Sequence, residues 1–279
     1  MSINFIGQDS LLQKINGFTV ETFPHSFIIY GEKGSGRHML CSFIAEKFHL
    51  DCVDVRERIG DSKLITKKYS ASALRDFLDD CTLNVFPTLI IFEAADLQEK
   101  ESAALLKILE EPPRQLYIAI VALSPQSLIP TIKNRAMEFY IPVYTTDTLK
   151  LFLTDQLQEC FLEYANTPGQ VLSLCTLGVT GFNDMLKLAY SIFTNIVKAT
   201  YGNLFNISNK FFPRSEDKFP FEVFVLMLYK TCYKLSLRGN VNYDAMILTF
   251  QLVQDIRKPR SDNRLLFEKY LFELKSCLR

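Results

Sequence analysis

Tryptophan is missing from the 279 residues, and cysteine appears only at seven scattered positions: Cys41, Cys52, Cys81, Cys160, Cys175, Cys232 and Cys277. The missing tryptophan carries no functional meaning. The cysteines carry some, because no two stand in a CxxC spacing. That leaves a zinc ribbon unsupported, and an odd, unclustered set is not a disulfide framework. They are expected as small apolar side chains in a reducing cytosol, and no metal site is expected. Net charge is also missing, with 31 basic against 31 acidic residues. This argues against a free-standing, strongly basic nucleic-acid binder, though not against a small basic patch. No apolar run approaches the roughly 18 residues of a membrane span. The opening MSINFIGQDS lacks the basic and apolar regions of a signal peptide. A cytoplasmic protein away from the membrane is expected.

Enough chain and enough apolar residues are present for two or three small domains, each with its own core. The stretch that organises the rest is TLIIFEAADLQEKESAALLKILEEPP, residues 88–113. The run Leu89 to Phe92 has the pattern of a strand buried on both faces of a parallel sheet. Glu93 and Asp96 follow at its carboxyl end, where open α/β sheets bind ligands. A helix over Glu99 to Glu110 is expected next, with Leu105, Leu106 and Leu109 on one face and Pro112-Pro113 as its stop.

Upstream, Asp9 or Ser10 is expected to cap a short helix carrying Leu11, Leu12 and Ile15. The strand His25 to Tyr30 then runs into GEKGSGRH. Gly31, Gly34, Ser35, Gly36 and Arg37 hold the outline of a phosphate loop, strand then glycine turn then helix, whose amides can face an anion. The full pattern is G-x-x-x-x-G-K-[ST]. Here Arg37 stands where lysine supplies a compact charge, and His38 where a hydroxyl ligates magnesium. Imidazole is a poor ligand for that hard ion. A plain glycine turn joining strand to helix is the bland alternative. Residues 51–68 are expected to form a sheet edge and loops, 70–79 a helix, 116–123 a buried strand, and 137–141 the last strand after a short helix ending at Arg135. A lone arginine there would ordinarily be a surface ion pair.

HSFIIYGEKGSGR, LIIFEAADLQEKESAALLKILEEPP and SLIPTIKNRAMEF stand in the order and near the spacing of bacterial clamp-loader subunits of the AAA+ class. ALLKILEEPP closely resembles the ALLKTLEEPP of the DNA polymerase III gamma and delta-prime subunits. The likeness covers roughly residues 1–175. The resemblance implies an α/β AAA+ phosphate-loop-type domain with a parallel sheet over 1–143. A small helical lid over 144–182 and an all-α collar over 183–279 would follow.

In working members the strand ends in Asp-Glu, whereas here Glu93-Ala94 stands, and loss of a general base costs 10²–10⁴ in rate. Gamma-type motors keep the loop lysine and the acidic pair; this chain keeps neither. It therefore resembles delta-prime, a stator without its own hydrolysis inside the DNA polymerase III holoenzyme. Asn134-Arg135-Ala136 aligns with the family's Ser-Arg-Cys, which makes Arg135 the finger acting in trans on a neighbour's ATP, an effect worth 10³–10⁵. Glu93 becomes the degenerate acidic strand end, and Gln170 stands where an ATP-sensing arginine usually sits.

No cofactor is required on this reading; weak ATP or ADP binding stays open. The implied partners are ATPase subunits of gamma or tau type and a delta-type subunit, in a hetero-pentamer. That complex would bring the chain to the sliding clamp and primer-template DNA. The alternatives are a gamma-type ATPase with an unusual loop, and a nucleotide-binding or structural scaffold outside replication. From residue 145 onward, helices are expected over 149–157, 169–177, 183–200, 221–237, 243–256 and 263–277, with a loop-rich break over 201–220. Basic residues gather weakly at Lys63, Lys67, Lys68, Arg257, Lys258, Arg260 and Arg264, most simply as solvated loops.

Overall fold

A computed structural model describes residues 5–59, 70–83, 85–212, 220–258 and 262–278. The chain forms two compact units, Met1–Tyr144 and Thr145–Arg279. Among the described residues no helix is long and apolar enough to cross a membrane.

The first unit is built on a five-stranded sheet in the order β2-β3-β4-β1-β5, all parallel. The strands are β1 (Ser26–Gly31), β2 (Asp51–Asp54), β3 (Thr88–Glu93), β4 (Leu116–Ala122) and β5 (Met137–Ile141). Parallel neighbours need crossovers. These come from α2 (Arg37–Phe48), α3 (Val55–Ile59), α4 (Ala71–Thr82), α5 (Glu99–Glu110) and α6 (Pro130–Lys133), while α1 (Asp9–Asn16) precedes the sheet. Every residue of β4 is buried, and Phe27, Ile28 and Ile29 of β1 are fully buried. Their uninterrupted apolar runs are what helices on both faces demand.

The two faces have different cores. One is mainly aliphatic, where Ile28, Ile90, Phe92, Ile118 and Ile120 meet Leu74 and Leu78 of α4, Leu105 and Leu109 of α5, and Ile132 of α6. The other is aromatic: Phe23 packs on Phe27, Phe48 and Phe139 with ring centroids 5.2, 4.3 and 6.2 Å away. Each such pair contributes about 0.5–1.5 kcal/mol beyond its area.

Local sequence sets the helix starts. Ser70 Oγ accepts from the Ala73 amide and opens α4. At α1 the expected cap moves by one: Gln8 is the cap residue, without a side-chain cap bond, and Asp9 is already in the first turn. There its charge favours the positive end of the helix dipole. Residues 51–59 form β2 and α3; the rest of the expected edge and loops, 60–68, lies outside the described residues.

The second unit is helical: α7 (Thr146–Lys150), a 3₁₀ stretch (Gln156–Tyr164), α8 (Pro168–Asn195), α9 (Tyr201–Phe211), α10 (Phe221–Leu237), α11 (Tyr243–Asp255) and α12 (Asn263–Cys277). The helix expected over 149–157 is thus a five-residue turn followed by 3₁₀ structure. The expected break over 201–220 is corrected at its start, where α9 stands. Thr200 caps α9 through the Asn203 amide, and Leu204, Ser208 and Phe211 are buried at helical spacing. Its asparagines disguise that stripe. The helices expected as separate over 169–177 and 183–200 lie on either side of Gly178, whose non-helical backbone (φ 73°, ψ 171°) breaks α8 into two helical segments. That left-handed φ suits glycine, and it falls inside the segment proposed as a lid. The core is phenylalanine-rich: Phe211 stacks on Phe224 at 4.1 Å and meets Phe267 edge-on at 5.6 Å. Lys275, only 6% exposed, hydrogen-bonds the carbonyls of Ile196, Val197 and Ala199 that α8 leaves beyond its end.

Candidate functional site

In a parallel sheet every carboxyl end lies at one edge, and β1 and β3 deliver Gly31 and Glu93 there. Gly31 is opposite Ile141 of β5, and a Cβ on it would stand 2.8 Å from the Ile141 carbonyl oxygen. Only glycine fits so close a pair of strands. The chain then turns through Glu32–Gly36, where Ser35 N–H donates to the Glu32 carbonyl at 3.0 Å. Gly34 and Gly36 take φ of 82° and 92°, conformations that a side chain makes costly. Arg37 is the first residue of α2, so the loop leads into a helix N-terminus.

The chain itself braces this loop. The buried Phe5 ring lies over Gly36, 3.0 Å from where a Cβ would be. Tyr144 Oη donates to the Ser35 carbonyl at 2.8 Å. Burial pushes the Tyr144 hydroxyl up to about 12, with a hydrogen bond to Gln8 opposing. Ser35 is 1% exposed, and its Oγ has no hydrogen-bond partner among the described residues.

At the end of β3 the charges satisfy one another. His38 Nε2 lies 2.6 Å from Glu93 Oε1, and His38 Nδ1 lies 4.0 Å from Asp54. Arg56 Nε donates to Asp96 at 2.5 Å, and its Nη1 is 3.9 Å from Glu93. The hydrogen bond to Glu93 raises the His38 pKa from its usual range, against the opposing effect of burial. Burial alone would raise Glu93; the His38 hydrogen bond and the Arg56, His38 and Arg37 charges outweigh it, and the carboxyl ends below its ordinary value.

A magnesium ion needs hard oxygen ligands. Here the three carboxylates at this edge all have cationic partners, and an imidazole fills the place expected for the hydroxyl. The donor set does not fit the ion. Ala94, 5% exposed, opens the 3₁₀ turn after β3 with a methyl group that can polarise nothing.

Arg135 sits apart from this cluster, between α6 and β5. Its Nη2 is 2.6 Å from Glu110 Oε1 at the end of α5, and its Nη1 donates to the Thr131 carbonyl at 2.9 Å. It is therefore in an ion pair, as a lone surface arginine ordinarily is. Gln170 accepts from the Asn166 amide at 2.7 Å, and its own amide donates to Thr167 Oγ1, so it helps cap α8. Arg264 pairs with Glu268 and Asn209, and Lys258 with Asp255. Lys63, Lys67, Lys68 and Arg260 lie outside the described residues.

Phe5, Gln8, Asp54, Arg56, Glu110 and Tyr144 were not singled out by sequence. For Arg56 a signal existed, a basic residue just after an acid-ended strand. Phe5 and Tyr144 lie at opposite ends of the unit, and only the fold brings them to one loop.

A family model described as DNA polymerase III, delta subunit, matches residues 40–145. DNA polymerase III subunit tau from Salmonella typhimurium (strain LT2) is 23% identical over 205 residues, covering 66% of this chain and 32% of that protein. The chain thus spans about a third of the length of this curated relative. Among solved structures, a DNA polymerase III gamma-subunit-related protein from Thermotoga maritima superposes with a TM-score of 0.52 at 15% identity, over 98% of this chain and 100% of that one. A RuvB mutant from Thermotoga maritima gives 0.53 at 15% identity, over 94% and 88%. These structural likenesses show the fold alone, a parallel α/β sheet domain followed by helices.

Proposed function

We propose that this chain belongs to the DNA polymerase III clamp-loader family as a delta-prime-type subunit, which hydrolyses no ATP itself and lends Arg135 to the ATP site of a neighbour. One observation carries the reading. The 2.6 Å pair of His38 and Glu93 occupies the junction of phosphate loop and acidic strand end where a working site gathers magnesium. An internal cation there neutralises the strand-end carboxylate, and Ala94 removes the base. Gly31, Gly34, Ser35, Gly36 and Arg37 keep an anion-facing loop, which leaves at most weak ATP or ADP binding without catalysis.

On this reading the second unit comprises lid and collar. The chain works in the cytoplasm within a hetero-pentamer of gamma- or tau-type ATPases and a delta-type subunit, and the assembled complex meets the sliding clamp and primer-template DNA. The match to a tau subunit favours the second reading, an ATP-hydrolysing gamma-type subunit. Hydrolysis by the purified full chain with magnesium and primed DNA separates the two. Background turnover is expected. Turnover above background, abolished by Arg37→Ala, would replace the stator with the motor.

A further inference from the structure

We propose that Glu110 is a positioning residue for Arg135, holding its guanidinium in the plane from which it reaches a nucleotide on the neighbouring subunit; this rests on the finger reading of Arg135. A guanidinium offers five N–H donors in a rigid planar fork. Two contacts from different nitrogens, Nη2 to Glu110 and Nη1 to the Thr131 carbonyl, hold that plane. Among the described residues the Arg135 guanidinium makes no other hydrogen bond or ion pair, which leaves its remaining N–H groups to phosphate oxygens.

Both holding points stand on well-packed structure. Glu110 follows Ile108 and Leu109 of α5, 7% and 5% exposed, and Thr131 precedes the fully buried Ile132 of α6. α5 and α6 pack against each other through the aliphatic core. A flexible side chain is thus aimed by two fixed elements, as a reacting group must be for charge stabilisation across a subunit boundary.

Two further features favour a functional role over a merely stabilising one. Glu110 ends α5, where the helix dipole and the last free carbonyls disfavour a carboxylate. Helix stability therefore does not account for it. The pair is also half open to solvent, with side chains 35% and 51% exposed. So exposed a pair adds little to fold stability, which leaves orientation of the guanidinium as the role of the contact.

The test is steady-state ATP hydrolysis by the reconstituted loader, containing this full chain, its ATPase partners, the clamp and primed DNA, across a range of ATP concentrations. Glu110→Ala is expected to lower kcat about 10- to 100-fold, the scale of a small misplacement, with KM and complex assembly unchanged. Glu110→Gln, which still accepts a hydrogen bond, should recover part of the loss. The double variant with Arg135→Ala should fall no lower than Arg135→Ala alone. Full turnover by Glu110→Ala beside an impaired Arg135→Ala would overturn the positioning role and leave the finger standing, as would additive losses in the double variant. Full turnover by Arg135→Ala would remove the finger and this inference with it.

Discussion

At the end of β3, His38, Arg56, Glu93 and Asp96 pair among themselves, with the Glu93 and Asp96 side chains only 16% and 5% exposed. At the end of α5, Arg135 and Glu110 pair with 35% and 51% exposed. The same kinds of groups are used in both places, a cation against a carboxylate at about 2.6 Å. The first cluster is closed: each charge already has a partner, and a metal ion would have to break one. The second is open, a weak pair at the surface with donors to spare. In the reading proposed above, the chain has turned its own nucleotide edge into structure and kept a working charge for somebody else's.

The largest effect should come from the open cluster. Arg135→Ala in the reconstituted loader is expected to lower DNA-stimulated ATP turnover by about 10³-fold, the lower end of the range for an arginine acting in trans, while size-exclusion chromatography shows an intact complex. The matched control beside the closed cluster, Arg37→Ala at the start of α2, should leave turnover within about twofold. Reversal of that ranking would break the contrast.

A smaller effect tests closure itself. Asp96→Ala leaves Arg56 without its short hydrogen bond in a largely buried setting. The expected cost is about 1–2 kcal/mol of unfolding free energy by urea titration, with partial exposure of Arg56 holding it below the cost of a fully buried pair. An unchanged midpoint would mean that the cluster is ornamental to stability.

The smallest effect has a pH signature. His38→Ala should cost about 0.5–1 kcal/mol, because half of the His38 side chain faces solvent and screening weakens the pair. The folded pKa of His38 is raised above 6.5, so its contribution is complete below that value and is lost as pH rises through the folded pKa. The folded pKa of Glu93 is lowered below 4.5, so its contribution is complete above that value and is lost as pH falls through the folded pKa. The gap between wild type and His38→Ala should therefore be widest between about pH 4.5 and 6.5, and should narrow on the alkaline side. A gap that widens above pH 8 would contradict the ion pair.

Much of this was legible before the fold. Leu89 to Phe92 reads as a doubly buried strand because four consecutive apolar residues have no solvent face to offer. Gly34 and Gly36 mark a turn because their positive φ excludes other residues at low cost. Arg37, His38, Glu93 and Ala94 were visible as departures from a working site. α9 was not, because its three asparagines and a glycine mask a stripe of Leu204, Ser208 and Phe211 that matters only once there is a core to bury it.

The sequence by itself thus determined the strand runs, the glycine turn and the identity of the groups at the sheet edge, since each follows from local stereochemistry and periodicity. Tertiary structure alone decided what those groups do to one another. Pairing of β2 with β3 places Asp54 opposite Ile91 and so brings Asp54 and Arg56 to Glu93 and Asp96; packing of α5 on α6 sets Glu110 against Arg135. Charges 25 to 55 residues apart in sequence interact through distance in space, and Coulomb's law takes no account of separation along the chain.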